Sequence, residues 1–315
     1  MTVIKYGDFA DIDTSHGRVS AIGFFDGVHV GHRELFRTAR EIANEKGLIF
    51  TVFTFISESE KIKKGGRLYS TEEKLKLIAE LGADEVVLTD FDEIKDFSPA
   101  DFVEELLIKN LNTVCAVTGK DFRFGKGAVG TADTLSSIMI ESGRATVTVD
   151  DVVQNGVKVS TTEIKKRLAE GDVRGANEML GTPYRINDEV MRGRGVGSSL
   201  GTPTVNLPIR EQSVLKRGVY YTVAVTDGAK YPSITNVGTC PTYGGIDSHS
   251  ETHIIGFDGN LYGKNISIIF YDFLREEIAF ESEKELKMQI NIDINRVKKE
   301  FLNNGGKLDQ AHSND

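Results

Sequence analysis

The stretch GFFDGVHVGH, residues 23–32, places two histidines three apart among glycines, directly after the apolar run VSAI. Where a strand gives way to a helix, free backbone N–H groups and the positive end of the helix dipole meet, and such a junction attracts phosphate. Glycines let the backbone come close, and His29 and His32 would share one side of the first helical turn. Their imidazole N–H groups can donate to phosphate oxygens as negative charge shifts during transfer, with no protein nucleophile. The competing reading is a glycine turn with incidental histidines, and the spacing at this kind of junction favours phosphate chemistry.

Two further constellations are weaker taken alone. Ser160, Thr161 and Thr162 open a helix, where hydroxyls serve as caps and where an anion can also bind. In RGRGVGSSLGTPTVNLPI (192–209), Thr204 and Asn206 stand two apart on what reads as a strand. Their oxygens could converge on one hard cation beside a nucleotide, although glycine turns and threonines are common in β proteins. The segment GKGAVG (125–130) matches G-x-G-x-x-G, but polar KDFRF separates it from the preceding strand. The dinucleotide fingerprint needs its glycines at the strand end itself, so a glycine loop is expected here. No G-x-x-x-x-G-K-[ST] occurs, so any kinase activity must use another phosphate cradle.

The elements that must position these groups follow from periodicity. LIFTVFTF (48–55), DEVVLTDF (84–91), TVCAVTG (113–119) and ATVTVDDVV (145–153) read as strands alternating with helices, the order of a parallel sheet covered by helices. The helix at 32–47 puts Leu35, Phe36, Ala39, Ile42 and Ala43 on one face and stops at Gly47. Ser70 with Glu73, Ser98 before Pro99, and Ser160 with Glu163 mark three more helix starts. Asn155-Gly156 marks a hairpin. Near Gly181–Arg185 the texture changes. From 186 to 280 short strands such as GVYYTVAVT and NISIIFYDFL alternate with glycine turns, predicting a closed or nearly closed antiparallel β unit. A last helix, capped by Ser282 and Glu285, carries Leu286, Ile290, Ile294, Val297 and Phe301 at helical spacing. The expected domains are 1–183 and 184–303, with 304–315 a flexible polar tail.

Length, 315 residues, fits two domains, and 39% hydrophobic with 27% charged content fits an ordinary globular chain. No apolar run approaches membrane-span length, and the N-terminal residues lack a signal-peptide pattern, so a cytoplasmic location is expected. Two distant cysteines, Cys115 and Cys240, suit a reducing compartment and read as buried small hydrophobes rather than a disulfide or zinc site. A net charge of −9 without a basic–aromatic cluster argues against a nucleic-acid partner and for small molecules, and leaves self-association open.

GFFDGVHVGH resembles the HxGH signature of the nucleotidyltransferase superfamily, in the form found in the bacterial bifunctional riboflavin kinase/FMN adenylyltransferase (FAD synthetase) family. TGKDFRFGKG (118–127) is similar to that family's G-x-D-F-x-F-G segment, and STTEIKKRLAEGDVRGANEMLGTPY (160–184) to its Ser/Thr-rich helix start and LG-x-P-Y. In the second half, 192–209 resembles the riboflavin kinase motif ending G-F-P-T-A-N, followed in order by NVGTCPTYGG (236–245) and ETHIIGFDGNLYGK (251–264). The resemblance implies an α/β Rossmann-like nucleotidyltransferase domain followed by a six-stranded antiparallel β-barrel kinase domain with a terminal helix. It implies that riboflavin becomes FMN and FMN becomes FAD, both with ATP and Mg²⁺. Carried over residue by residue, Gly23, Phe24, Asp26, Gly27, His29, His32, Ser160, Thr161 and Thr162 would hold ATP for adenylyl transfer. Asp121, Phe122 and Phe124 would meet the flavin there. In the kinase, Gly193, Gly197, Gly201, Pro203, Asn236, Gly238, Pro241 and Thr242 would bind ATP and flavin. Thr204 and Asn206 would hold the metal, and Glu251, which alone would read as a solvated acid, would be the base.

Four departures stand out. TFISES puts Ser57, Glu58 and Ser59 where the family has a His-Pro pair; Glu163 and Lys165 replace arginines; Ser198 replaces an arginine; and Thr202 replaces an aromatic. These leave three readings: both activities, one activity beside a structural or flavin-sensing remnant, or a flavin-binding regulator without turnover. Retention of His29, His32, Thr204, Asn206 and Glu251 together argues against the regulator, because a pure binder needs neither base nor metal ligands.

Overall fold

The computed structural model describes residues 1–5, 7–56, 66–191, 203–209, 214–238 and 248–305. Ser57, Glu58, Ser59, Gly193, Gly197, Ser198, Gly201, Thr202, Cys240, Pro241, Thr242 and the tail from 306 lie outside the described residues. The chain divides into two compact units, Met1–Thr161 and Thr162–Asp315.

The first unit is built on β1 (Thr2–Lys5), β2 (Arg18–Ile22), β3 (Ile49–Ile56), β4 (Glu85–Asp90), β5 (Thr113–Gly119) and β8 (Ala145–Val149). They form one parallel sheet in the order β1-β4-β3-β2-β5-β8. Strands covered on both faces read as unbroken apolar runs, which is why IFTVFTFI in β3 shows no alternation and is buried nearly throughout. The short edge strand β1, mostly exposed and four residues long, carried no such pattern and is an addition to the sequence expectation. From β2 the chain runs through β3 to β4 on one side, then returns to place β5 on the other. The crevice at the carboxyl ends of strands flanking such a reversal is where open α/β sheets bind ligands. The segment leaving β2 there is GFFDGVHVGH.

Helix α1 (Val30–Lys46) buries Leu35, Phe36, Ala39 and Ala43 and ends at Gly47 in the left-handed region, as its pattern requires. Helix α2 (Thr71–Glu80) is capped by Ser70, whose side chain accepts from the Glu73 N–H. Ser98 and Asp101 form a full capping box, with Pro99 at the first helical position. That turn continues as a π-helical segment, Phe102–Asn110. The 125–130 glycines close a two-stranded ribbon between β6 (Arg123–Phe124) and β7 (Gly130–Thr131), ahead of α3 (Ala132–Glu141). They are therefore no strand-to-helix phosphate turn. Asn155 and Gly156, both at positive φ, turn the hairpin of β9 (Val153–Gln154) and β10 (Val157–Lys158).

One interior group escapes any periodicity argument. Arg18, 1% exposed, donates to both Glu85 carboxylate oxygens at 2.8 and 3.1 Å and to the carbonyls of Asp13, His16 and Leu111. Removing one partner of a buried pair strands the other charge, so Arg18→Met is expected to lower stability by about 3–5 kcal/mol, read from the urea midpoint. Pairing it with Glu85→Leu should recover most of that loss.

The second unit carries α4 (Thr161–Glu170, from its second residue) and α5 (Val173–Leu180) against a barrel. Lys216 N–H donates to the Leu168 carbonyl and the Asn177 side chain to the Phe270 carbonyl, fastening both helices to it. The barrel comprises β11 (Arg185–Glu189), β12 (Thr204–Ile209), β13 (Gly218–Thr226), β14 (Ala229–Gly238), β15 (Ser248–Ile254) and β16 (Asn265–Arg275), ordered β11-β16-β13-β14-β15-β12. All pairings are antiparallel. A bridge between Met191, just past β11, and Asn206 on β12 joins the two ends, so the sheet is nearly closed. Inside runs a ladder of buried hydroxyls: Thr222, Ser233, Thr235 and Thr252, linked at 2.8–2.9 Å. Side chains alternate along a strand, so the neighbours of that ladder, Asn236 and Glu251, face outward. The terminal helix α6 (Glu283–Asn303), capped by Ser282, packs Ile294, Val297 and Phe301 on the outer wall.

Candidate active sites

At the carboxyl end of β2 the chain makes a tight turn before α1. Phe25 (φ 52°), Gly27 (φ 86°) and Val28 (φ 44°) all sit at positive φ, and for a β-branched residue such as Val28 this is costly. Arg33 Nε pins the Val28 carbonyl at 3.1 Å. The turn delivers His29 to the N-cap of α1, where its Nδ1 accepts from the His32 backbone N–H at 3.3 Å. An accepting Nδ1 carries no proton, so the His29 proton sits on Nε2 and that edge is a donor. The two rings stack, centroids 3.5 Å apart and 18° between planes, and His32 meets Phe25 edge-on. Gly31 makes this possible: a Cβ there would lie 3.2 Å from the His29 ring.

Burial dominates the electrostatics of the pair. His29, only 6% exposed, has its pKa pushed down to about 4 by desolvation. His32 is held well below its ordinary value by burial first, then by His29 and Lys74. Both rings are thus neutral near pH 7. The His32 Nδ1 is buried and lacks a hydrogen-bond partner among the described residues.

Around this loop, Asp26 Oδ1 accepts from Leu68 N–H at 2.9 Å, and its carbonyl accepts from Thr161 Oγ1 at 2.8 Å. Thr161, the last residue of the first unit, is thus bonded to the histidine loop, while Thr162 is exposed. Gly23 gives way to the Phe25 ring, 2.8 Å from where a Cβ would be. Phe122 and Phe124 stack at 5.4 Å, but Phe124 is buried in the sheet's core cluster while Phe122 stays partly exposed against it. Asp121 is exposed and pairs with Lys158, which also holds Asp151. Glu163 on α4 is paired at 3.1 Å with Arg167, which also holds Asp172 at 2.7 Å.

Periodicity alone left Lys74 unremarked. Its ammonium donates to the Phe24 carbonyl (3.3 Å), Thr54 Oγ1 (3.1 Å) and the Phe55 carbonyl (2.9 Å). The available signal was its place on the buried stripe of α2 with Leu77 and Ile78, where a charge is out of pattern.

In the second unit, register sets Glu251 on β15 directly between Asn206 on β12 and Asn236 on β14, with Thr204 opposite His253 one row away. Thr204, Asn236, Glu251 and His253 line a cavity of about 410 Å³, whose other walls include Ile278, Phe280, Leu286 and Ile290. Asn236 donates through Nδ2 to Glu277 at 3.1 Å, while its Oδ1 is buried without a hydrogen-bond partner among the described residues. Gly238 leaves room for Glu277, whose Oε1 would lie 2.9 Å from a Cβ. His253 Nδ1 lies 3.0 Å from the Pro203 carbonyl, which only a protonated Nδ1 can bond. On the helix side Asp293 is buried against Arg275, at 2.8 and 3.0 Å, and accepts from Gln289. His253, Arg275 and Asp293 were not legible as site residues, because strand register and helix docking bring them in. Among the described residues no cluster of three or more His, Cys, Asp or Glu could hold a metal, and Cys115 is buried and unbridged.

Comparison with known proteins agrees with this layout. A family model for FAD synthetase matches residues 11–163, and one for riboflavin kinase matches residues 180–301. The chain is 34% identical over 283 residues to the bifunctional riboflavin kinase/FMN adenylyltransferase of Escherichia coli K12, covering 88% of this chain and 90% of that one. It is 33% identical over 296 residues to the protein of the same name in Bacillus subtilis 168, covering 90% and 93%. A solved Streptococcus pneumoniae structure, described as a macrolide-efflux protein, superposes with a TM-score of 0.85 at 27% identity, over 95% of this chain and 99% of that one. No helix among the described residues is long and apolar enough to cross a membrane. With a match in each half, the reading in which one activity has been lost is not favoured. With relatives 33–34% identical over most of both chains and a family model matching in each half, the chain belongs to the bifunctional riboflavin kinase/FMN adenylyltransferase family.

Proposed function

We propose that the barrel unit phosphorylates riboflavin to FMN and that the parallel-sheet unit adenylylates FMN to FAD, each consuming ATP. The observation that carries this is the placement of one neutral imidazole pair at the strand-order reversal and one carboxylate between two asparagines on the barrel wall.

In the first reaction the ribityl 5′-hydroxyl attacks the γ-phosphorus of ATP, and Glu251 takes the hydroxyl proton as ADP leaves. Phosphoryl transfer depends on orienting the hydroxyl and balancing oxygen charge more than on base strength, so a carboxylate suffices. The apolar wall of Ile278, Phe280 and Leu286 suits the flavin ring, and Asn236 Oδ1 is an acceptor awaiting a donor. Thr204 and Asn206 would hold Mg²⁺. Neutral oxygens beside one carboxylate suit a hard ion that keeps its phosphate ligands, and the ion would offset charge on the transferring oxygens.

In the second reaction an FMN phosphate oxygen attacks the α-phosphorus of ATP and pyrophosphate leaves. The His29 Nε2–H and the His32 imidazole donate to the polyphosphate, and the positive end of the α1 dipole adds to that grip. Phe122, partly exposed over buried Phe124, is the flavin-facing ring of that pair. We assign residues 1–183 to adenylyl transfer and 184–303 to riboflavin phosphorylation, in a cytoplasmic protein acting on small molecules.

Incubating the pure protein with riboflavin, ATP and Mg²⁺ and separating products by chromatography tests the whole assignment. FMN is expected first and FAD after it. FMN without FAD would leave a kinase only, and neither product would leave a binder.

A further inference from the structure

The buried cation behind the histidine loop has no part in the chemistry described so far. Lys74 is 7% exposed, and its three N–H donors have three acceptors from two different strand ends: Phe24 just past β2, Thr54 and Phe55 near the end of β3. Thr54 Oγ1 itself donates to the Phe24 carbonyl at 3.0 Å, so one carbonyl of the loop is gripped twice. Desolvating an ammonium is expensive, and an apolar side chain of equal length would fill the same space at lower cost. The charge is what distinguishes Lys74 from such filler. It faces Asp26 of the loop, Arg67 ahead of α2, His32 on α1 and Tyr69, which lines the same small cavity.

We propose that Lys74 is a positioning residue for adenylyl transfer, its charged ammonium fixing the Phe24 end of the histidine loop through hydrogen bonds to Phe24, Thr54 and Phe55. The inference rests on the reading of the His29–His32 loop as the polyphosphate site. Two effects follow from one group. The hydrogen bonds set the path of the chain into the strained Phe25–Val28 turn, and so the place of both imidazoles. The charge also disfavours a proton on His32, after the larger effects of burial and of His29 stacked on it.

Burial lowers the Lys74 pKa to about 8, so the positioning charge is present below that pH and lost above it. His29, near 4, does not titrate in that range. FAD formation from FMN by the unmodified full-length protein should therefore decline as pH rises through about 8, while riboflavin phosphorylation by the same sample shows no matching limb. Lys74→Met should slow FAD formation about a hundredfold with kinase turnover retained, as expected when reacting groups shift by about an ångström. In protein labelled at histidine, NMR titration of that variant should show the His32 pKa raised. A flat pH profile up to about pH 9.5, or a variant that melts normally and makes FAD at the unmodified rate, overturns the proposal. Activity lost in the variant beside a flat unmodified profile reduces Lys74 to a structural tie and also overturns it. The parent reading fails separately, if His29→Ala leaves FAD formation intact.

Discussion

His29→Ala is expected to cut FAD formation from FMN by about 10²–10³-fold, the usual effect of removing one preorganised donor to a developing charge. Riboflavin phosphorylation in the same sample should hold within about twofold, since Glu251 and its neighbours belong to the other unit. Alanine also removes the N-cap of α1, a loss of about 0.5–2 kcal/mol, so a second variant separates capping from catalysis. Asparagine caps well but has nothing at the position of Nε2. If His29→Asn restores FAD formation, the histidine is a cap and the adenylylation assignment to this loop falls. Acid behaviour gives a third handle. Because the folded His29 titrates near 4 rather than at its ordinary 6.5, the unfolded chain binds more protons between those values. Stability is therefore lost as pH falls from 6.5 toward 4, while the donor itself stays in its active neutral form. FAD formation should show no acid limb attributable to His29 down to about pH 5, where an ordinary exposed histidine would already be charged.

Glu251→Gln is expected to do the reverse. It keeps the size of the side chain and its capacity to accept a hydrogen bond but cannot take up the ribityl proton. Riboflavin phosphorylation should fall by about 10²–10⁴-fold, and FAD formation from supplied FMN should be unchanged. The substitution sits on the outer wall, between Asn206 and Asn236 and away from the buried hydroxyl ladder. The barrel should therefore melt within a few degrees of the unmodified protein, which calorimetry would check. Loss of both activities in a folded Glu251→Gln protein would mean that the two units do not divide the chemistry as assigned.

Much of the architecture was legible because its causes are local. Ser70, Ser98 and Ser282 cap helices through groups three residues away, and Asn155-Gly156 turns a hairpin within its own four residues. The strand at 113–119 and that at 218–226 match the expected segments to the residue. The edge strand Thr2–Lys5 escaped because an edge strand has little buried face to imprint on its sequence. The imidazole pair was visible for the same local reason: three-residue spacing at a helix start places two side chains together whatever the rest of the chain does. Phe122 and Phe124 were read as equal partners, and only packing separates them, one into the core and one at its margin.

By itself the sequence determined the two-unit plan, the family, the histidine loop and the order of the kinase motifs, since these depend on residue types within a few positions of one another. The tertiary structure alone decided that Arg18 would be an interior cation, that Lys74 would grip the loop, and that Glu251 would stand between two asparagines in a cavity lined in part by the terminal helix. Those contacts reach across as many as 93 positions, from Arg18 to Leu111. Such pairings are set by strand order and register, which no local pattern encodes.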